Sequence, residues 1–164
     1  MAGRVRTMMA GLLLAAMGVV PAAQPAFSSS GEAETATGGS SSCAAELDRT
    51  IQRFTTTLLG RDLEGYLRLW TDDAVLTLNS GEIIVGKAGI RDFYVGLFGV
   101  PGWTETFDEV SRRIYDCHTA YVVDNVLFEN PGTGVRSPLA VSLTLTRANG
   151  RWLVVGEHIT GVAE

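Results

Sequence analysis

Lysine is nearly missing from this chain: of 13 basic residues only Lys87 is a lysine, and they face 18 acidic ones for a net charge of −5. Binding to nucleic acid or to an anionic lipid surface needs clustered Lys and Arg. No such run occurs in the sequence, so neither is expected as a partner. Histidine occurs only at His118 and His158, and cysteine only at Cys43 and Cys117. There is no His-x-His and no Cys-x-x-Cys, and Cys117-His118 alone has no metal-ligand spacing, so no metal is expected. A glycine-rich phosphate loop and a dinucleotide fingerprint are both missing, so no cofactor is expected. The one long uncharged apolar run, residues 8–20, is too short for a comfortable membrane span.

That run has another reading. Arg4 and Arg6 precede it, and Pro21-Ala22-Ala23 and Gln24-Pro25-Ala26 follow it with small residues suited to cleavage. Residues 1–26 therefore read as a secretory signal peptide, the protein as secreted, and no membrane contact remains after cleavage. Removing Arg4 and Arg6 leaves 13 − 2 = 11 basic residues against 18 acidic, a net of −7. Residues 27–42 are Ser, Gly, Ala and Thr with two Glu and almost no large apolar residue. They bury too little surface to offset the entropy of ordering and read as a flexible tether. Residues 43–164 are left as one domain.

Within that domain the apolar spacing sets the elements. Leu47, Ile51, Phe54 and Leu58 form one helical stripe over residues 44–59, closed by Gly60. Leu63, Tyr66, Leu67 and Trp70 form a second, with Asp62 placed to cap it. Asp72-Asp73 reads as a turn, residues 74–78 as a strand, Asn79-Ser80-Gly81 as a tight turn and residues 83–85 as a second strand. Ile90, Phe93, Tyr94 and Leu97 restore helical spacing. Three long strands (103–116, 118–129 and 137–147) and a last one (151–160) follow, with Asn149-Gly150 as the final hairpin turn. Leu139, Val141, Leu143 and Leu145 alternate with Ala140, Ser142, Thr144 and Thr146, one face apolar and the other small and polar. The predicted fold is α+β, a curved antiparallel sheet wrapped around about three helices. Two cysteines in an exported chain predict a Cys43–Cys117 disulfide, with two free thiols as the alternative.

The succession of helix, Trp/Tyr, Asp-Asp-Ala, strand, Gly and helix with Phe-Tyr resembles the nuclear transport factor two-like superfamily. The resemblance extends to the Asn149-Gly150-Arg151-Trp152 turn and to Glu157-His158, about residues 45–162, and is nearest to the SnoaL-like and SgcJ-like bacterial members. It implies a cone-shaped domain with an apolar pocket and, through its convex face, a homodimer. The pocket positions it implies are Phe54, Trp70, Leu78, Tyr94, Val155 and Ile159. Where the superfamily resembles ketosteroid isomerase, the tyrosine position falls on Phe54, the base on Leu78 and the remaining acid near Ser142 or Leu143. None of these can do that chemistry, so steroid-type isomerisation is disfavoured.

Glu157-His158 is the best acid/base pair. Adjacent strand residues point to opposite faces, so only one of them enters the cone. With Ile159 in the pocket, Glu157 is inside; in the other register His158 is. An interior Glu157 gains a raised pKa by desolvation and can act as general acid or base, unless it pairs with Arg112 or Arg113. Asp124 and Tyr115 are further strand residues whose facing alternation does not decide. The leader implies secretion, and the resemblance implies a domain that binds a small apolar molecule and acts as a cyclase, isomerase or hydrolase by acid/base chemistry on a polyketide-like compound. The alternative is a non-catalytic secreted binding or dimerisation module. A buried, unpaired ionisable group in the pocket discriminates the two.

Overall fold

The computed structural model describes residues 37–162, with side chains from Ser42 onward. The expected leader and residues 27–36 of the expected tether lie outside the described residues. The first helix, α1 (Thr37–Leu59), starts 44 − 37 = 7 residues before the start expected from the sequence. Cys43, Leu47, Thr50, Phe54 and Leu58 are its buried face. Threonines in its second half fit because their hydroxyls fold back on the preceding turn: Thr56 Oγ1 donates to Gln52 O at 2.8 Å and Thr57 Oγ1 to Arg53 O at 2.7 Å. The left-handed residue that ends α1 is Arg61 (φ 53°), one position after the expected Gly60. Its guanidinium lies 5.1 Å from the centre of the Trp103 ring and donates to Trp103 O at 3.2 Å, which holds that conformation in place.

Asp62 caps α2 (Leu63–Leu67) as expected, its Oδ1 accepting from Gly65 N at 2.9 Å. The helix is shorter than its apolar spacing suggested. Trp70 opens a strand, β1 (Trp70–Thr77), and Asp72-Asp73 lie inside that strand and form no turn. The reason is tertiary: Trp70 pairs with Val154, and the register shifts between Trp70 and Val75, which leaves the two aspartates exposed on an irregular stretch. Lys87 pairs with Asp72 at 2.7 Å. Gly81 (φ 86°) makes the tight turn into β2 (Ile83–Val85), and Gly86 (φ 83°) leads into α3 (Lys87–Gly99).

The remaining strands are β3 (Thr104–Tyr115), β4 (Thr119–Asn130), β5 (Val135–Ala148) and β6 (Arg151–Gly161). All six form one sheet in the order β2-β1-β6-β5-β4-β3. The sheet is mixed where a wholly antiparallel one was expected: β1 runs parallel to β6, and the other four pairings are antiparallel. Asn149 (φ 51°) and Gly150 (φ 72°) make the β5–β6 hairpin turn, the pair of positive φ angles that a two-residue hairpin prefers.

The sheet's inner face packs on the helices, α1 against β6 and β3 and α3 against β1 and β2. On β5, Leu139, Val141, Leu143 and Leu145 are buried, and the small residues between them are half-exposed, as the alternation predicts. The Cys43–Cys117 disulfide forms, with a Cα–Cα distance of 5.8 Å, and ties α1 to the β3–β4 turn. Trp152 Nε1 donates to Cys43 O at 3.2 Å and Arg147 reaches Glu46 at 2.6 Å, so β5 and β6 grip the same end of α1. Among the described residues no helix is long and apolar enough to cross a membrane.

Candidate functional site

A cavity of about 260 Å³ opens between α3 and the inner face of the sheet. Its walls are mainly apolar: Leu78 from the end of β1, Phe93 and Leu97 from α3, Phe107 from β3, Phe128 from β4, and Leu139 and Val141 from β5. Asn79 and Ser137 are polar groups at its edge. Among the described residues no Lys, Arg or His lines it, whereas two carboxylic acids do, Glu105 and Glu157.

β6 delivers Glu157 through a bulge. Thr144 pairs with Gly156 and Leu145 with Val154, so Val155 is an extra residue on β6. Trp152 and Val154 point inward, the bulge shifts the alternation by one, and Glu157 points inward again. Glu157 is 6 % exposed, while His158 is exposed on the other face and does not reach the cavity. The alternative, an ion pair of Glu157 with Arg112 or Arg113, does not form; Arg112 is held by Asp48 and Glu109.

The partner of Glu157 is a pair of phenols. Tyr94 donates to Glu157 Oε2 at 3.1 Å, and Tyr66 donates to the Tyr94 hydroxyl at 2.8 Å. α3 positions Tyr94 and α2 positions Tyr66, and the two rings meet edge to face with centres 4.5 Å apart. Phe54 and Trp70 close over Tyr66 at 4.9 and 5.8 Å, so the pair is walled by aromatics and fixed.

Burial pushes Glu157 up to about 8; the like charge of Glu105 adds to the rise, and the Tyr94 hydrogen bond opposes it. Burial alone pushes Glu105 up to about 7. Both tyrosines are raised well above their ordinary value, first by burial and then by the charge of Glu157, and stay neutral hydrogen-bond donors. Both carboxyls lining the cavity are thus held toward the protonated form, Glu157 further than Glu105. Such a pair offers a proton donor and a proton acceptor in one apolar chamber.

The other expected positions divide. Leu78, Tyr94 and Ile159 line the cavity with Glu157. Phe54 and Trp70 do not: both are buried in the aromatic core behind the tyrosines. Val155 does not either, because it is the bulge residue. Phe54 instead borders a separate pocket of about 190 Å³ that it shares with Asp124, whose carboxyl is pushed up to about 6, mainly by burial. Tyr115 and His118 are exposed. Glu105 and the role of Tyr66 escaped the sequence reading. The signal for Glu105 was alternation: Trp103, just before β3, and Glu105 and Phe107 on it are the less exposed residues, with the exposed Thr104 and Thr106 between them. Among the described residues no group of three or more His, Cys, Asp or Glu could hold a metal ion.

The family described as SnoaL-like domain matches residues 51–155. Many solved structures share the fold. A ketosteroid isomerase-like protein from Erwinia carotovora atroseptica superposes with a TM-score of 0.63 at 19 % identity, covering 73 % of this chain and 96 % of that one. An NTF2-like protein of unknown function from Pseudomonas putida gives 0.63 at 17 % identity, with 74 % and 89 % covered. An uncharacterised protein with a cystatin-like fold from Caulobacter vibrioides gives 0.65 at 15 %, with 73 % and 89 % covered. At these identities the likeness is one of fold. No curated protein sequence matches the chain.

Proposed function

The chain belongs to the SnoaL-like domain family, and on that premise we propose that it is a secreted enzyme that moves protons on a small, largely apolar carbonyl compound. The observation that carries this reading is Glu157. Among the described residues no basic side chain lines its cavity, and its side-chain hydrogen bond comes from Tyr94, which Tyr66 backs. An uncompensated carboxyl in such a place costs stability and gives nothing to a simple apolar binding site. In the proposed step the protonated Glu157 donates to the substrate's carbonyl oxygen and an ionised Glu105 takes a proton from the neighbouring carbon. The product is an enol. Where a double bond is conjugated to the enol, Glu105 returns its proton to the far carbon while the enol hydroxyl gives its proton back to Glu157, which completes an isomerisation; attack of the enol carbon on a second carbonyl of the same molecule, whose oxygen takes up the proton released by the enol hydroxyl, closes a ring. Polyketide-like compounds, with carbonyls on alternate carbons, suit both outcomes. Tyr94 steadies Glu157 as it loses its proton, because a donated hydrogen bond favours the charged form.

Export rests on the leader-like residues 1–26 and fits the Cys43–Cys117 bond, which persists in an oxidising compartment. The half-exposed outer face of β4 and β5 is the proposed homodimer surface, read out as mass by native mass spectrometry. The competing reading is a non-catalytic binding module. Exchange of carbon-bound hydrogen separates the two. Small apolar 1,3-diketones and monoketones are incubated with the protein in deuterated buffer, and deuterium uptake is followed by NMR. The enzyme reading expects uptake that Glu157→Gln removes while the compound still binds. Binding without uptake in the wild type leaves the binding module.

A further inference from the structure

A second concavity, of about 340 Å³, lies between α1, α2 and the β5–β6 turn, and shares no lining residue with the carboxyl cavity. Four arginines line it: Arg49 and Arg53 from α1, Arg68 after α2, and Arg151 at the start of β6. All four are exposed. None of their guanidinium groups takes part in an ion pair or hydrogen bond with a described residue. The ion pairs of the described residues are made by Lys87, Arg91, Arg112, Arg136 and Arg147 instead.

This arrangement is unexpected for the chain that carries it. Acidic residues outnumber basic ones by 18 to 13, so an exposed arginine has carboxylates available as neighbours. Two carboxylates do border the groove, and both are engaged: Glu46 holds Arg147 at 2.6 Å, and Asp62 Oδ1 caps the α2 backbone at 2.9 Å. Arg49 and Arg53 stand one turn apart on α1, where like charges repel and weaken a helix. Folding thus gathers four unneutralised guanidinium groups from three elements around one recess. Guanidinium forks match tetrahedral oxyanions in shape and charge and bind them in pairs of hydrogen bonds. Thr50, Thr57 and Trp152 are among the other lining residues.

We propose that this groove binds a soluble small molecule bearing two adjacent phosphoryl groups. The concave shape and volume suit a small ligand, and the four charges exceed what a single carboxylate would neutralise. The excess acid elsewhere on the chain keeps the attraction local to the groove, which sets it apart from a nucleic-acid surface.

Isothermal titration calorimetry with inorganic pyrophosphate, at low ionic strength and pH 7.5, tests this. The full chain should bind one equivalent, and affinity should fall with added salt. The double variant Arg53→Gln/Arg151→Gln should bind about a hundredfold more weakly, about tenfold per lost charge-assisted contact, with an unchanged melting temperature. Arg136→Gln, which removes an arginine paired with Glu129 elsewhere on the sheet, should bind like the wild type. So should Glu157→Gln, which keeps this site independent of the proposed chemistry. Absence of pyrophosphate binding overturns the proposal. So does an equal loss in Arg136→Gln, or binding to phosphatidylglycerol vesicles that pyrophosphate does not displace.

Discussion

Replacing Glu157 by Gln should stabilise the protein at pH 8 and change it little at pH 5. The amide copies the shape of the protonated acid, and its carbonyl can still accept the Tyr94 hydroxyl that reaches Oε2 at 3.1 Å. What it removes is the titration. In the unfolded chain a glutamate loses its proton near about pH 4.3, whereas burial holds that of Glu157 to about pH 8. Between those limits the folded state binds more protons than the unfolded one, so stability is full below the lower pH and falls as pH rises to the upper one. At about 1.36 kcal/mol per pH unit, partly saturated at both ends, the loss from pH 5 to pH 8 is on the order of a few kcal/mol. The variant escapes it. Asp124, raised to about 6, lowers the stability of both proteins in the same direction and drops out of the difference, whereas the charge of Glu105 contributes to the gap through its repulsion of Glu157. Urea unfolding of the two proteins at half-unit steps between pH 5 and 8 measures the gap directly. In thermal melts the same gap corresponds to about 10 °C or more at this chain length. A gap that stays constant within about 0.5 kcal/mol over that range would mean that Glu157 is already ionised when folded, and the acid/base assignment would go with it.

Two further perturbations test the supports of the site. Tyr94→Phe removes the hydrogen bond that favours the charged form of Glu157, so the carboxyl should titrate at a still higher pH; a downward move in a carboxyl-carbon NMR titration would contradict the tyrosine relay. Cys117→Ser opens a loop of 74 residues and should cost about 4 kcal/mol on the chain-entropy estimate; unfolding of the oxidised wild type that coincides with that of the variant would remove the disulfide from the account of stability.

Most of the fold was legible because it is local. Asp62 as a cap, the Asn149-Gly150 turn and the alternation on β5 depend on neighbours within a few positions, where spacing is a reliable guide. What was not legible depends on distant partners. Trp70 continues the helical spacing of Leu63, Tyr66 and Leu67, and only its pairing with Val154, 154 − 70 = 84 positions away, makes it the first residue of a parallel strand. The arginines of the second groove stand at 49, 53, 68 and 151, and no stretch of sequence announces them.

The face of β6 that enters the cone is the sharpest case, because two local rules disagree there. Alternation forward from the buried Trp152 places 154, 156 and 158 inside and chooses His158. Alternation backward from the cavity residue Ile159 chooses Glu157. Both cannot hold on a regular strand. The extra residue Val155, opposite the step from Thr144 to Leu145, lets both be true in their own segment, Trp152 and Val154 in the core and Glu157 and Ile159 in the cavity. The same bulge costs the site Val155 as a lining residue and spares it an exposed histidine. A one-residue irregularity thus decides whether the cone holds an imidazole or a carboxyl whose pKa is raised because it is buried beside another acid. The second arrangement needs Tyr66, Tyr94 and Glu105 around it. Glu105 fills a place on β3 that Trp103 and Phe107 mark as interior, where a charged residue has no structural reason to be.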